Sequence, residues 1–370
     1  MVRDKRSFLL ACLIVRVTGF TGVVCAQDEL GAPFSLGLSG HHGFIIPHSQ
    51  ELVDVSTSHP RGVELNAAWL LADEHHTRAS GVVSRRGVAM HLIDFGAPDL
   101  LGHMLSVSAF VEPMIRAQDR VHGSVRLALG LAYLDQPYDP ETNPGNLFYS
   151  TNISFLACVN AYLGLRINPQ WEASGGFNYN HISNGGMKQP NKGMNFPTWS
   201  LGASYCLRPV VIQRPIRDDA WRTAKRTYTY LVGSASVKNA PATDGNDEVL
   251  RCSLLGILGV RGWRVGRMAG LSAGTEWVHD GYAEEMSARD GANENGWMGA
   301  VMAGPELLSG RVRFALLFGA YVYALAWSGD AVYQRYQLSY TVGRGLMVGT
   351  SLKAHRHVAD VFDLRLGWVW

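Results

Sequence analysis

Residues 121–133 read Val121-His-Gly-Ser-Val-Arg-Leu-Ala-Leu-Gly-Leu-Ala-Tyr133, and two kinds of side chain alternate along the stretch. Most odd positions carry Val, Leu or Tyr, whereas the even positions carry His122, Ser124, Arg126 and small residues. Because successive side chains of a β-strand point to opposite faces of a sheet, the pattern predicts a strand with one apolar and one polar face. A strand of this length can span a bilayer when it is tilted relative to the membrane normal.

The same alternation recurs along the rest of the chain, for example in residues 152–166 and 313–324. Eight candidate strands precede a Pro-rich and charge-rich connector, residues 208–226, and up to eight follow it. The pattern predicts an all-β fold, an antiparallel transmembrane β-barrel with about 14–16 strands in one barrel. Two fused eight-stranded barrels are the alternative. A single barrel is favoured because two adjacent closed barrels would each need their own seam. The candidate strands lie near 36–46, 61–71, 85–95, 103–113, 121–134, 151–166, 169–183, 196–207, 227–238, 248–260, 263–278, 297–306, 311–324, 331–341, 345–356 and 359–370.

Composition favours a membrane barrel over a secreted β-sandwich or soluble barrel, which would also alternate. The chain has 41 Gly and only 17% charged residues. Its last residues, Phe362-Asp-Leu-Arg-Leu-Gly-Trp-Val-Trp370, form an alternating strand that ends on an aromatic residue. Such a strand resembles the recognition signal of bacterial outer-membrane barrels.

The formal charge of +2 does not indicate the basic surface that nucleic-acid binding requires. No Cys/His cluster has the spacing of a zinc site.

The chain divides into four predicted segments. Residues 1–26 combine a basic start, an apolar stretch and small residues before Gln27, which is the layout of a secretory signal peptide. Residues 27–207 and 227–370 form two barrel halves on either side of the connector, and the second half ends in the outer-membrane signal strand.

Residues 181–195 read His-Ile-Ser-Asn-Gly-Gly-Met-Lys-Gln-Pro-Asn-Lys-Gly-Met-Asn and follow an alternating strand. That strand has Trp171, Phe177 and Tyr179 at odd positions, and His181 and Ser183 continue the same parity. A base and a hydroxyl are therefore expected side by side on an apolar face. This is an unusual place for polar groups unless the substrate is itself apolar. A serine hydroxyl becomes a nucleophile only when a base takes its proton.

This run closely resembles the signature of the outer-membrane lipid A 3-O-deacylases, which belong to the acyloxyacyl hydrolase-like proteins. The resemblance implies a barrel whose active site faces the lipid, with Ser183 as nucleophile and His181 as base. It also implies an oxyanion hole formed by Asn184 and the backbone near Gly186. The catalytic residues are expected to be His181, Ser183 and Asn195.

One position departs from the family pattern. Short family members carry Glu at the position of Asn195, where the acid orients the histidine and stabilises its charged form. Asn195 has the parity of the same face and can orient His181 through its amide oxygen. It cannot supply negative charge, so a slower enzyme is expected. Two nearby side chains, Lys188 and Lys192, are candidates for contacts with lipid phosphates.

The function expected from these residues is hydrolysis of an ester-linked acyl chain of lipid A by a lipid-facing Ser/His site. Two alternatives are a non-catalytic porin-like or structural outer-membrane barrel and an outer-membrane phospholipase. The expected location is the Gram-negative outer membrane after signal-peptide cleavage. Lipopolysaccharide is then the substrate, and membrane lipids and the barrel-assembly machinery are partners. No cofactor, metal or nucleic acid is expected, and the sequence leaves the oligomeric state and the cleaved acyl position open.

Overall fold

A computed structural model describes residues 33–214, 222, 226–240, 250–326, 329–356 and 358–370. The predicted signal peptide, residues 1–26, lies outside the described residues. Strands dominate this part of the chain, as the period-two alternation predicted. All pairings between neighbouring strands are antiparallel.

The first barrel is formed by the strands before the connector. Its first strand, β1, pairs with both β2 and β9, and β7 pairs with both β6 and β9, so the sheet closes on itself. A two-residue strand, β8, pairs with the end of β7. The strands are β1 (Phe34–Gly43), β2 (Arg61–Leu71), β3 (Ser84–Asp94), β4 (His103–Ile115), β5 (Val121–Leu134), β6 (Ile153–Arg166), β7 (Trp171–Ser183), β8 (Met194–Asn195) and β9 (Thr198–Cys206).

The second barrel is formed by the strands after the connector. Eight strands pair in chain order, and β10 pairs with β17 to close the ring. They are β10 (Thr227–Ala240), β11 (Leu250–Arg264), β12 (Ala269–Asp280), β13 (Trp297–Ser309), β14 (Val312–Ala324), β15 (Val332–Val342), β16 (Leu346–His355) and β17 (Val358–Val369).

The architecture is therefore two closed eight-stranded barrels, and the preferred expectation of about 14–16 strands in one barrel is wrong. The all-β antiparallel transmembrane fold is confirmed, as is the alternative of two fused barrels. The physical reason is how the edge strands of each half are paired. The partner of β1 is β9 and the partner of β10 is β17, so each half satisfies its own edge strands.

Side chains on the barrel exteriors are apolar and exposed, while those inside are packed. On β9, Leu201 is 78% exposed, whereas its neighbour Ser200 is 5% exposed and points inward. Inside the second barrel Arg335 contacts Glu276 at 2.7 Å and Asp363 at 2.7 Å. Eight strands enclose a space that side chains can fill, and these charges are paired because an unpaired buried charge is costly.

In the described part of the chain, two α-helices interrupt the strands. Helix Glu74–Ser80 follows β2, and helix Gly281–Arg289 follows β12 with the Asp280 carboxylate accepting from the backbone N–H of Tyr282 and Ala283. Short 3₁₀ helices occupy Gln50–Leu52 and Asp54–Ser56. Within the described ranges, neither helix has the length and apolarity of a membrane span.

The three longest loops of the first barrel gather at one end. Residues 44–60, 135–152 and 184–197 connect strands there, whereas residues 116–120 and 167–170 form tight turns at the other end. Outer-membrane barrels have this asymmetry, with longer loops on the extracellular side. The residues of the candidate site belong to the long-loop end.

Candidate active site

The strand β7 carries His181 and Ser183 on the outward side of the first barrel. Its even positions Asn178, Asn180 and Ile182 are buried toward the interior, while Phe177 and Tyr179 are exposed. His181 and Ser183 continue the exposed parity, as the alternation predicted. His181 is half-buried, and Ser183 is 5% exposed because the following loop covers the end of the strand.

Asn195 holds the imidazole of His181. The two residues lie opposite each other where β8 pairs with β7, and Asn195 Oδ1 is 2.7 Å from His181 Nδ1. Since an amide oxygen only accepts, this contact assigns the proton to Nδ1 and leaves Nε2 as the basic nitrogen. The Asn195 amide nitrogen lies 3.4 Å from Nδ1 of His48, which belongs to the 44–60 loop. Asn195 therefore fixes the tautomer that a general base needs.

Gly193 provides the surface under the His181 ring. Its backbone φ is +74°, in the left-handed region, and a Cβ there would lie 2.9 Å from His181 Cε1. Any larger residue would therefore be strained and would also displace the ring. Gly193 therefore leaves the space that the His181 imidazole occupies.

The Ser183 hydroxyl is surrounded by hydrogen-bond donors. Its Oγ accepts from Asn191 Nδ2 at 3.0 Å and from the backbone N–H of Gly185 at 3.1 Å. Among the hydrogen bonds of the described residues, none joins Ser183 to His181. The structure thus brings the two residues to one face of one strand without a hydrogen bond between them. Catalytic hydrogen bonds are often formed only when substrate is bound.

The predicted oxyanion-hole residues have their donors directed within the loop. Gly186 N donates to Asn184 Oδ1 at 3.0 Å, and the Asn184 amide donates to the carbonyl of Lys188 at 2.7 Å. Asn184 N donates to Asn191 Oδ1 at 3.1 Å. The donors that contact Ser183 Oγ are instead those of Asn191 and Gly185. The sequence interpretation missed Asn191, although it lies inside the quoted motif.

The two motif lysines are exposed at the rim of the site. Lys192 Nζ lies 3.1 Å from Glu51 Oε2, so its charge is shared with an exposed carboxylate. Lys188 extends from the same loop, and its carbonyl accepts from Ser150 Oγ. A phosphate role for either lysine stays a prediction. His48, which reaches Asn195 from a distant loop, had no signal in the local sequence.

Apolar side chains surround the His181 side of β7. Trp199 of β9 is 64% exposed and packs against Phe177 with ring centroids 4.9 Å apart. Tyr179 precedes His181 on the same face, and Val159 lies opposite Tyr179 on β6. The polar pair therefore sits at the end of an outward apolar surface, suited to an aliphatic chain.

The second barrel contacts the loop that follows Ser183. The Phe362 ring of β17 stacks on Phe155, the cross-strand partner of Ser183, with centroids 4.2 Å apart. Asn239 Nδ2 donates to the carbonyl of Met187 at 3.2 Å. Gly186 has φ +83°, and a Cβ there would lie 2.6 Å from the carbonyl oxygen of Asp360. This close approach requires glycine. Gly186 therefore also allows the two barrels to come into contact.

Sequence comparison finds two matching families. Residues 62–204 match the lipid A 3-O-deacylase family (PagL), and residues 228–370 match the acyloxyacyl hydrolase C-terminal domain. The two ranges together cover more than three quarters of the chain. The second half, which carries no comparable motif, is thus also a recognised part of this family. No curated protein matches the chain.

Several solved structures resemble parts of the chain. The outer membrane enzyme PagL is 17% identical over 45% of this chain and 97% of its own, with a TM-score of 0.33. Neisserial surface protein A is 14% identical over 46% of this chain and 96% of its own, with a TM-score of 0.32. A mutant porin of Rh. blastica is 9% identical over 91% of this chain and 100% of its own, with a TM-score of 0.20.

Proposed function

Since this chain belongs to the lipid A 3-O-deacylase family, we propose that it removes an ester-linked acyl chain from lipid A in the Gram-negative outer membrane, with Ser183 as nucleophile and His181 as base. The observation that carries the proposal is the contact between His181 Nδ1 and Asn195 Oδ1, on the outward face next to Ser183.

The chemistry follows from these positions. Ser183 Oγ attacks the ester carbonyl while His181 Nε2 accepts the hydroxyl proton. The imidazolium then gives that proton to the departing sugar oxygen, and an acyl-serine remains. Water, deprotonated by the same imidazole, attacks the acyl-serine. The bond from the acyl carbon to Ser183 Oγ then breaks, Oγ takes the proton back from the imidazolium, and the fatty acid is released. No metal or organic cofactor takes part in these steps.

Two donors can stabilise the negative oxygen that forms during attack. Asn191 Nδ2 and Gly185 N already lie at 3.0 and 3.1 Å from Ser183 Oγ. The oxyanion lies one carbon away from this oxygen, within reach of both after a small shift. The expected donors Asn184 and Gly186 would first have to leave their contacts within the loop. Preorganised donors of this kind are usually a large contribution to acyl transfer.

The porin-like alternative is disfavoured by what fills the barrels. Two interior cavities of the described residues are small: that lined by Glu64 and Arg126 has a volume of about 30 Å³, and that lined by Arg335 and Asp363 about 10 Å³. A hydrated ion pathway needs a continuous opening, which paired side chains occupy in both barrels. The exterior of β7 is therefore a better candidate for the functional site than the interior of either barrel.

Mass spectrometry of lipids from cells that do and do not produce the chain tests the proposal. We expect lipid A to lose the mass of one hydroxyacyl chain while phospholipids stay unchanged. Altered phospholipids with intact lipid A would instead support an outer-membrane phospholipase. Unchanged lipids of both kinds, with the folded barrel present in the outer membrane, would support a structural protein.

Replacing Asn191 by aspartate tests the assignment of the oxyanion donors. The variant keeps the shape of the side chain but replaces the N–H donor to Ser183 Oγ by an acceptor. We expect kcat for deacylation to fall by at least about tenfold, with a smaller change in KM. Asn152→Asp serves as the control, because Asn152 contacts the backbone of Leu134 away from the nucleophile. An unchanged kcat in the Asn191 variant would contradict the assignment.

A further inference from the structure

Three metal-ligating side chains meet inside the first barrel, on neighbouring strands. Glu64 of β2 and His91 of β3 lie directly opposite each other, and His41 of β1 lies diagonally across from Glu64, whose partner on β1 is Ser39. All three side chains point inward and are at least nine-tenths buried. Their potential ligand atoms lie within 4.8 Å of one another.

The distances suit a tetrahedral metal ion. Glu64 Oε2 is 3.0 Å from His91 Nε2 and 3.7 Å from His41 Nε2. With metal–ligand bonds of about 2.0–2.2 Å, two ligands of a tetrahedral zinc ion are separated by about 3.4 Å. These two separations lie on either side of that value, and the separation between the two histidine nitrogens is at most 4.8 Å.

His41 carries an unsatisfied nitrogen that points into this cluster. Its Nε2 is buried and has no hydrogen-bond partner, while its Nδ1 lies 3.0 Å from Thr198 Oγ1. A buried polar atom without a partner is costly and calls for a physical explanation. A metal ion bound between His41 and Glu64 would satisfy this nitrogen.

The outer contacts of both imidazoles favour metal binding. His91 Nδ1 lies 3.2 Å from Ser106 Oγ, and His41 Nδ1 is in contact with the Thr198 hydroxyl. A metal-binding histidine usually gives the N–H of its other ring nitrogen to such an acceptor, which fixes the ring and leaves Nε2 free to bind. The contact of His41 with Thr198 suits this arrangement. His91 Nε2 donates to Glu64 Oε2 at 3.0 Å, so metal binding at His91 would replace that proton and make Nδ1 the donor to Ser106 Oγ.

The net charge of the surrounding side chains favours a bound cation. Two arginines, Arg85 and Arg126, form ion pairs with three carboxylates, those of Glu64, Glu112 and Glu172. With neutral histidines this network has one negative charge in excess. Arg126 binds Oε1 of Glu64 at 2.8 Å, which leaves Oε2 directed to the two histidines.

From these observations we propose that His41, Glu64 and His91 bind one divalent transition-metal ion, with Zn²⁺ as the best fit. Two imidazoles and a carboxylate are a typical zinc ligand set, and imidazole nitrogen favours zinc over calcium or magnesium. Three protein ligands leave the fourth position of a tetrahedral zinc ion to a water molecule. The ion would link β1, β2 and β3 near the long-loop end. The local sequence held no sign of it, because each ligand comes from a different strand.

Metal analysis of the purified full-length mature protein tests the proposal. The protein, without a histidine tag, is folded in detergent, stripped with EDTA and dialysed against Zn²⁺ in low micromolar concentration, and bound zinc is measured by mass spectrometry. We expect one zinc per chain, and less than about a tenth of that in His41→Ala and His91→Ala. His122→Ala is the matched control, because His122 is also buried in this lumen but pairs with Glu172. A second control, His42→Ala, removes an exposed neighbour.

Several results would overturn the proposal: wild-type protein without stoichiometric zinc, His41→Ala with full zinc, or loss of zinc in His42→Ala instead. If the alanine variants do not fold, Co²⁺ bound to the wild-type protein gives the answer. A tetrahedral Co²⁺ site has intense visible bands, and their absence would contradict the assignment. Ser183→Ala should bind zinc like wild type, so the metal site and the proposed deacylation are tested separately.

Discussion

Replacing Ser183 by alanine should reduce the deacylation of lipid A by at least about 10³-fold in purified, folded protein. The reason is that no other group can form the acyl intermediate at this position, and only the donors and the bound substrate would still contribute. The measurement is the rate of fatty-acid release from lipid A in mixed detergent micelles. The variant removes one buried hydroxyl and keeps the backbone contact of β7 with Phe155, so the barrel should fold normally.

A matched control is available on the same strand. Ser174 lies at an even position of β7 and lines the interior cavity, so Ser174→Ala should keep the wild-type rate. His181→Ala should lose as much activity as Ser183→Ala, and the double variant should lose no more than either, because the two groups act as one unit. Folding is checked by the faster gel migration of the unheated barrel. Full activity in folded Ser183→Ala protein would refute the assignment of the nucleophile.

Replacing Asn195 by an acid should raise the rate, by about a hundredfold or more. Asn195 Oδ1 already contacts His181 Nδ1 at 2.7 Å, so it orients the ring but does not stabilise the imidazolium formed during attack. In serine hydrolases the opposite change, acid to amide, costs about 10⁴-fold. Asn195→Asp keeps the shape of the side chain, and Asn195→Glu supplies the residue that the family resemblance leads one to expect. The measurement is kcat at neutral pH.

The variant Asn195→Ala distinguishes the orientation of His181 by residue 195 from the effect of a negative charge at that position. It removes the contact to His181 without adding charge and should lower the rate below that of wild type. An Asn195→Asp protein no faster than wild type, with the barrel folded, would show that this residue is not the third member of the catalytic group. His48 contacts the same amide, so the acid must be tested with this histidine in place.

The strands were predictable because the period of two is strong along each of them. Each of the sixteen long strands, from β1 to β17, overlaps a stretch that the alternation identified. Closure was not predictable. Alternation indicates which face of β9 is apolar, but it does not say whether its free edge meets β1 or β10. That choice depends on the tilt and stagger of strands far apart in the chain.

The site was predictable where it is local. The parity of His181 and Ser183 and the position of Asn195 follow from one continuous motif. The contact of Asn191 with Ser183 Oγ depends on how the 184–193 loop folds back, which spacing does not determine. His48 meets Asn195 only when β9 pairs with β1 and closes the barrel, and the cluster of His41, Glu64 and His91 forms only when β1, β2 and β3 pair. Residues brought together by tertiary structure leave no local pattern.

The central claim is that an outward-facing serine attacks an ester held in the lipid, and covalent labelling tests it most directly. The protein, reconstituted in lipid vesicles, is treated with a long-chain alkyl fluorophosphonate, and the modified residue is identified by peptide mass spectrometry. We expect a single phosphonylated residue, Ser183, with labelling lost in His181→Ala and lipid A deacylation inhibited in proportion. An unmodified Ser183 in protein whose deacylation the reagent abolishes would contradict the account.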